Sequence, residues 1–159
     1  MTTDQCEICA FAAKPDSGEL LRTPFWRVSL GHDQQYLGRT YVSLLEHKGS
    51  LSELSAAEWA DFQRLVRLLE ASYERALGSG RPFNWSCMMN NAFQVESAYP
   101  HVHWHFIPRH KEPIAMAGQT FVDPKYGHHY KTDSRRQVDP QVHQAIADML
   151  RAAIAKEQA

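Results

Sequence analysis

Apolar and polar residues alternate most regularly in the stretch YPHVHWHFIPRH, residues 99–110. Alternation with period two predicts a half-buried strand, because successive side chains of a strand point to opposite faces. The apolar members would enter the core: Val102, Trp104 and Phe106. The histidines would share the other face: His101, His103 and His105. Neighbouring imidazoles would then lie roughly 6–7 Å apart, from a rise of about 3.3 Å per residue.

Other strands are predicted on either side of this stretch. The runs FWRVSL (residues 25–30) and GRTYVSLL (38–45) are typical of two strands joined by a hairpin loop. FNWSCMMNN (83–91) predicts a third strand before the histidines. Residues 108–138 show little periodicity, which predicts a long loop that covers an active site or contacts a partner.

Two helices complete the predicted elements. Ser55 and Glu58 have the spacing of a capping box, so the longer helix should begin there, and Gly78 should end it. Its apolar positions recur every three or four residues: Trp59, Phe62, Val66, Leu69, Tyr73 and Ala76. Asp139 is the expected N-cap of a C-terminal helix over about residues 139–157. Strands followed by helices packed on them indicate an α+β fold.

Composition narrows the class of protein. The 159 residues are 43% hydrophobic and 22% charged, with a net charge of −1, as expected for one soluble globular domain over residues 1–159. We therefore expect neither nucleic acid nor a membrane as a partner. The N-terminus has no secretory pattern, and no apolar run is long enough to span a bilayer. Three cysteines, Cys6, Cys9 and Cys87, make a poor disulfide framework and favour a cytoplasmic setting.

The histidine row has three interpretations on spacing alone. It is a structural strand with incidental histidines, a metal site in which two imidazoles bind one ion, or a catalytic site in which a neutral imidazole attacks an electrophile. The spacing of the histidines does not separate the last two. Arg109 and Arg135 have a similar ambiguity, since they either meet a phosphate tail or are solvated surface charges.

The fuller pattern resembles a known family. HVHWHFI (residues 101–107) alternates three histidines with hydrophobic residues and ends in two hydrophobics, like the signature of the histidine-triad (HIT) superfamily of nucleotide hydrolases and transferases. LGRTYVSLLEHKGSLSELS (37–55) resembles the family's passage from strand to helix. The resemblance covers about residues 5–112. It implies a HIT-like α+β fold with about five antiparallel strands, one main helix and a C-terminal helix, in a homodimer.

The resemblance also implies an activity and its residues. The enzyme would cleave at the α-phosphate of a nucleotide, either a dinucleoside polyphosphate such as diadenosine tetraphosphate or a nucleoside phosphoramidate, and release a nucleoside monophosphate. The family's nucleophile is the middle histidine, here His103, and a covalent nucleotidyl-histidine intermediate splits the displacement into two steps. The expected catalytic residues are His101, His103 and His105. The expected substrate-binding residues are Asn90, Ser97, His105 and Asp33.

Some branches of the family carry a structural zinc ion held by a Cys-x-x-Cys pair, a histidine before the long helix and the first triad histidine. This sequence has Cys6, Cys9, His47 and His101 at those places. Two thiolates and two imidazoles form a closed tetrahedral Zn²⁺ site. The resemblance therefore implies that zinc anchors the N-terminal segment and fixes His101 without acting as a Lewis acid.

Alternatives remain at this point. A dinucleoside polyphosphate phosphorylase would use phosphate in place of water. A nucleotide-binding or interaction protein of HIT fold would show little turnover, and a metallohydrolase would use the triad as an open metal site. The loop residues YGHHY (126–130) are also expected to reach an active site, in the same chain or across a dimer.

Overall fold

A computed structural model describes residues 6–14, 16–94, 99–130 and 135–159. Five strands form its main sheet: β1 (Glu19–Arg22), β2 (Trp26–Leu30), β3 (Thr40–Leu44), β4 (Phe83–Ser86) and β5 (His103–Pro108). Their order in the sheet is β1-β2-β3-β5-β4, and every neighbouring pair is antiparallel. The remaining elements are a hairpin of β6 (Ile114–Met116) and β7 (Gln119–Phe121), and the helices α1 (Glu7–Ala12), α2 (Ala56–Leu77) and α3 (Pro140–Gln158).

The predicted α+β fold and its five-stranded antiparallel sheet are confirmed. One face of the sheet packs against α2 and α3 through alternate apolar side chains of β2, β3 and β5: Trp26, Val28, Leu30, Val42, Leu44 and Phe106. Phe62 of α2 stacks on Trp104 with ring centroids 4.7 Å apart. Because strand side chains alternate, the intervening residues lie on the other face, which we call the site face.

Both ends of the long helix follow the sequence prediction. The Ser55 hydroxyl accepts a hydrogen bond from the Glu58 amide, and the Glu58 carboxylate accepts one from the Ser55 amide. Gly78 ends α2 at a φ of 96°, a left-handed conformation that glycine adopts without strain. The predicted apolar stripe is wrong at Trp59, which is 39% exposed.

Two boundaries differ from the sequence prediction. The strand predicted over 83–91 ends at Ser86, because the chain turns back into a short 3₁₀ helix over Asn90–Gln94. Residues 108–138 contain the β6–β7 hairpin, whose strands of three residues each are too short to show a periodicity. Strand β1 and helix α1 were not predicted either. Of the described residues, no helix combines the length and the apolar character needed to cross a membrane.

Arg109 is neither a phosphate-binding residue nor a solvated surface charge. Its side chain is buried and forms an ion pair with Asp123, with Nε 2.6 Å from the carboxylate. The same guanidinium donates to the carbonyls of Lys125 and His128 and to the Asn84 side chain. Arg109 therefore fastens the segment after β7 to the end of the sheet.

Candidate active site

The histidine row lies on the site face, as the alternation predicts. His103 and His105 belong to β5 and stand opposite Ser43 and Tyr41 of β3. On the other side of β5, Ser86 of β4 stands opposite His105. The two imidazole ring centroids are 5.2 Å apart. The sheet therefore holds both rings side by side.

One hydrogen bond sets the tautomer of His103. Its Nδ1 is 2.8 Å from the backbone carbonyl oxygen of His101. A carbonyl only accepts, so Nδ1 carries the proton and donates it. The lone pair of a neutral imidazole is then on Nε2, the nitrogen that a nucleophilic role requires.

His105 has a different environment. Burial, with smaller contributions from His103 and Arg39, lowers the pKa of His105 to about 4, so its imidazole is neutral at physiological pH. The ring packs edge-on against Tyr41 with centroids 5.1 Å apart. Its Nδ1 is buried and has no hydrogen-bond partner in the described part of the chain. Sequence patterns gave no signal for Tyr41, which becomes part of the site only through strand pairing.

His101 precedes β5 and is turned toward the N-terminal segment. Its Nε2 donates to the Leu44 carbonyl at 2.8 Å, which leaves the lone pair on Nδ1. That Nδ1 lies 3.3 Å from Cys6 Sγ and 3.4 Å from Cys9 Sγ. His47 Nδ1 lies 3.5 Å from Cys9 Sγ. Burial lowers the pKa of His101.

These four side chains fit a tetrahedral metal ion. Their ligand atoms all lie within 4.8 Å of one another. Around a tetrahedral zinc ion, sulfur and nitrogen ligands lie roughly 3.3–3.8 Å apart, from Zn–S of about 2.3 Å and Zn–N of about 2.0–2.1 Å. The Leu44 carbonyl is also the kind of partner that orients a metal-bound imidazole by accepting its second N–H. The cluster of Cys6, Cys9, His47 and His101 is therefore built like a zinc site.

A cleft of about 710 Å³ opens over the site face. It brings together most of the predicted site residues: Cys6, Asp33, Asn90, His101, His103 and His105. Met88, Met89, Tyr41 and Tyr99 add apolar and aromatic surface to its walls. A cleft of this size with a few polar groups suits a small organic ligand. Ser97 lies outside the described residues.

Asn90, the predicted substrate contact, has an asparagine neighbour, Asn91, at the cleft. Because β4 ends before them, they lie in a 3₁₀ helix, not on opposite faces of a strand, and both line the cleft. The Asn91 side-chain oxygen accepts a hydrogen bond from Gln94 at 3.4 Å. The Asn90 side chain is exposed at the cleft wall, and it remains the better candidate.

Asp33 lies in the cleft but its carboxylate has three donors. Oδ1 accepts from the backbone amides of Gln35 and Arg136, at 3.0 and 2.9 Å. Oδ2 accepts from Arg39 Nη1. The predicted role of Asp33 in substrate binding stays a prediction, and these contacts favour a different one.

One residue of the YGHHY segment reaches the edge of the site within the same chain. The Tyr130 hydroxyl is 2.7 Å from the Ser86 hydroxyl, and Ser86 stands opposite His105. Tyr130 also packs edge-on against Tyr36, whose ring lies under the Arg109 guanidinium. The segment that Arg109 fastens therefore borders the histidines.

Neither a protein-family model nor a curated protein sequence matches the chain significantly. Solved structures do. A zinc-bound histidine-triad family protein from Mycobacterium smegmatis is 18% identical, with a TM-score of 0.66 and coverage of 98% of this chain and 96% of that one. A diadenosine triphosphate hydrolase from Plasmodium falciparum is 14% identical, with a TM-score of 0.62 and coverage of 92% and 82%.

A uridylyltransferase structure is also similar, at 14% identity, with a TM-score of 0.67 and coverage of 96% of this chain. The chain spans 46% of the length of that protein. These similarities establish the fold. The chain has the histidine-triad fold, and the resemblance read from residues 101–107 is confirmed at that level.

Proposed function

We propose that this chain of histidine-triad fold is a nucleotidyl hydrolase or transferase that cleaves a nucleotide at its α-phosphate, with His103 as the nucleophile. The observation that carries the proposal is the hydrogen bond from His103 Nδ1 to the His101 carbonyl. It places the lone pair on Nε2 of a ring that lines the cleft. Neutral nitrogen approaches an anionic phosphate without the charge repulsion that hydroxide meets.

In the first step, the Nε2 lone pair forms a bond to the α-phosphorus while the bond from phosphorus to the leaving group breaks. The leaving group departs with that electron pair. The product is a nucleotidyl-histidine whose ring carries positive charge. Nδ1–H keeps donating to the His101 carbonyl, so this charge forms next to an acceptor that is already oriented toward it.

In the second step, a water oxygen attacks the phosphorus and the bond to Nε2 breaks, returning the electron pair to His103. The proton that the water loses passes to the solvent, and a nucleoside monophosphate is released. Inorganic phosphate in place of water would release a nucleoside diphosphate, which is the phosphorylase alternative. Identification of the product distinguishes these two acceptors, because one gives a monophosphate and the other a diphosphate.

His105 and Asn90 complete the proposed phosphate site. A neutral His105 has one N–H, which would leave the backbone of Met88 and donate to a phosphate oxygen, where negative charge increases in the transition state. Asn90, exposed at the cleft wall, would donate its amide N–H to the phosphate or the leaving group. Ser97 remains a proposed substrate contact, whereas the donors already bound to the Asp33 carboxylate favour an indirect role for Asp33.

We further propose that Cys6, Cys9, His47 and His101 hold a structural zinc ion. A closed set of four protein ligands leaves no position for substrate, so the ion would stabilise the fold and not polarise the phosphate. His101 would position the nucleophile, since its carbonyl accepts a hydrogen bond from His103 Nδ1. A homodimer and a cytoplasmic location also remain proposals, and sedimentation tests the first.

The test of the proposed function is a turnover and trapping experiment. The protein is incubated with diadenosine tetraphosphate, adenosine phosphoramidate and nucleotide sugars, and products are identified by mass spectrometry. We expect a nucleoside monophosphate and, after rapid quenching, an acid-labile adduct on His103. His103→Asn should lower kcat by on the order of 10⁴-fold or more. Arg64→Met is the control, because the Arg64 side chain is 70% exposed in its pair with Asp61 and does not line the cleft.

The outcomes separate the alternatives. An interaction protein with little turnover gives no product and no adduct. A metallohydrolase loses its rate when a chelator is added and regains it with metal, and it forms no adduct on His103. Turnover that is unchanged in His103→Asn contradicts the proposal.

A further inference from the structure

Arg39 is a buried cation with few partners. The residue is 8% exposed and lines the cleft. Its Nη1 donates to Asp33, and its other N–H groups donate to no acceptor within the part of the chain that the structure describes. A guanidinium has five N–H donors, and burying it is unfavourable unless they are satisfied. Because Arg39 Nε is buried, the donors left for a ligand in the cleft are the Nη hydrogens that Asp33 does not take.

The position of Arg39 continues the histidine row. The guanidinium carbon lies 5.4 Å from the centre of the Tyr41 ring. Tyr41 in turn contacts His105 edge-on, and His105 lies beside His103. If the α-phosphate of a ligand lies at His103 and His105, the group attached to that phosphate would therefore lie next to Arg39.

Asp33 holds this guanidinium in place. Because two backbone amides fix its Oδ1, the carboxylate presents Oδ2 to Arg39 in a defined direction. Arg135 lines the same cleft and is exposed, which adds a second cation to its wall. Two carboxylates line the same cleft, Asp33 and Glu7, and Asp33 is the one that pairs with Arg39.

We infer that Arg39 binds the phosphate groups beyond the α-phosphate and that Asp33 is its positioning residue. The inference rests on the proposed function and narrows its substrate class to polyphosphates, such as dinucleoside polyphosphates. A guanidinium donates two parallel N–H bonds to a phosphate, and this pairing is stronger than neutral hydrogen bonds. A nucleoside phosphoramidate has one phosphate only, so it has no group for Arg39 to bind.

The experiment compares kcat/KM for diadenosine tetraphosphate and for adenosine phosphoramidate in wild type and Arg39→Met. We expect a decrease of about 10- to 100-fold for the tetraphosphate, mainly through KM, and a change within about threefold for the phosphoramidate. Arg39→Lys should recover part of the loss, since lysine keeps the positive charge but cannot donate two parallel N–H bonds to one phosphate. Arg39→Met leaves the Asp33 carboxylate without its ion-pair partner. If that single variant does not fold, the double variant Arg39→Met with Asp33→Asn replaces it in the comparison.

Arg22→Met is the matched control, because Arg22 is an exposed arginine whose partner Glu19 also pairs with Arg27. It should leave both substrates unaffected. Equal losses on both substrates, or no loss on the tetraphosphate, overturn the inference. If wild type turns over neither substrate, calorimetry with inorganic tripolyphosphate decides the assignment of Arg39, and the proposed function fails when nucleotide sugars are not cleaved either. Wild type should bind it at least about tenfold more tightly than Arg39→Met, and equal binding overturns the inference.

Discussion

Replacing Arg109 with methionine should destabilise the fold strongly, because it leaves the Asp123 carboxylate buried without its ion-pair partner. The Asp123 side chain is 0% exposed, so water does not compensate for the loss. Two backbone amides still donate to it, from His110 at 3.4 Å and Lys125 at 3.0 Å. Removing one partner of a buried ion pair lowers the free energy of unfolding by about 3–5 kcal/mol.

Other contacts of Arg109 place the expected cost toward the upper end of that range. The guanidinium also donates to the carbonyls of His128 and Lys125, at 2.9 and 2.5 Å, and to Asn84 at 2.9 Å. Small domains have a total free energy of unfolding of about 5–15 kcal/mol. Arg109→Met is therefore expected to remove a large share of the stability.

Equilibrium unfolding in urea at pH 7, followed by circular dichroism and tryptophan fluorescence, measures this loss. Arg109→Met with Asp123→Asn removes the unpaired charge as well, so the double variant should be less destabilised than the single one. Arg64→Met is the control, since the Arg64 side chain is 70% exposed in its pair with Asp61, and it should change stability by less than about 1 kcal/mol. The reasoning fails if Arg109→Met costs less than about 1 kcal/mol or if the double variant is no better than the single one.

Three further predictions concern the site and the buried histidines. Tyr130→Phe removes the hydroxyl that bonds to Ser86. It should lower kcat/KM by up to about tenfold, while the free energy of unfolding stays within about 1.5 kcal/mol of wild type. Wild-type stability together with wild-type activity would refute a role at the site. Cys9→Ser should lose zinc by elemental analysis and unfold at a lower temperature than wild type; undiminished zinc content would contradict the proposed ligand set. The pKa of His110 is lowered, mainly by burial and also by nearby Arg81, so the unfolded state binds its proton first as the pH falls. The free energy of unfolding should thus decrease as the pH drops below about 6.5, and His110→Gln should flatten that slope in urea titrations at several pH values.

The sequence was informative where a repeating pattern coincides with one face of an element. The alternation over residues 101–107 predicts which side chains face the helices: Val102 and Phe106 are fully buried, and Trp104 is half-buried against Phe62. The capping residues predict both ends of α2 because caps act on neighbouring backbone groups. The metal cluster was recognised through a family resemblance, since Cys6 and His101 are 95 residues apart and no local pattern links them.

Features that depend on long-range partners were missed. Arg109 looks like a surface charge in the sequence, and only the fold brings Asp123 from 14 residues away against it. The end of β4 at Ser86 is set by where the chain must turn back toward β5, not by a change in residue type. Arg39 and Tyr41 join the site because β3 pairs with β5, and a single sequence contains no signal of that register.

His101 connects the candidate metal cluster to the proposed nucleophile. Its Nδ1 faces Cys6 and Cys9, and its Nε2 donates a hydrogen bond to the Leu44 carbonyl. Its own carbonyl accepts a hydrogen bond from His103 Nδ1. A rotation of the peptide after His101 would therefore disturb both the cluster and the tautomer of the nucleophile. Because the following residue, Val102, is also held by a backbone hydrogen bond to Lys48 at 2.8 Å, that rotation is opposed on both sides of the peptide. An ion bound by the cluster would thus support catalysis through the position of one carbonyl group, without contact with the phosphate.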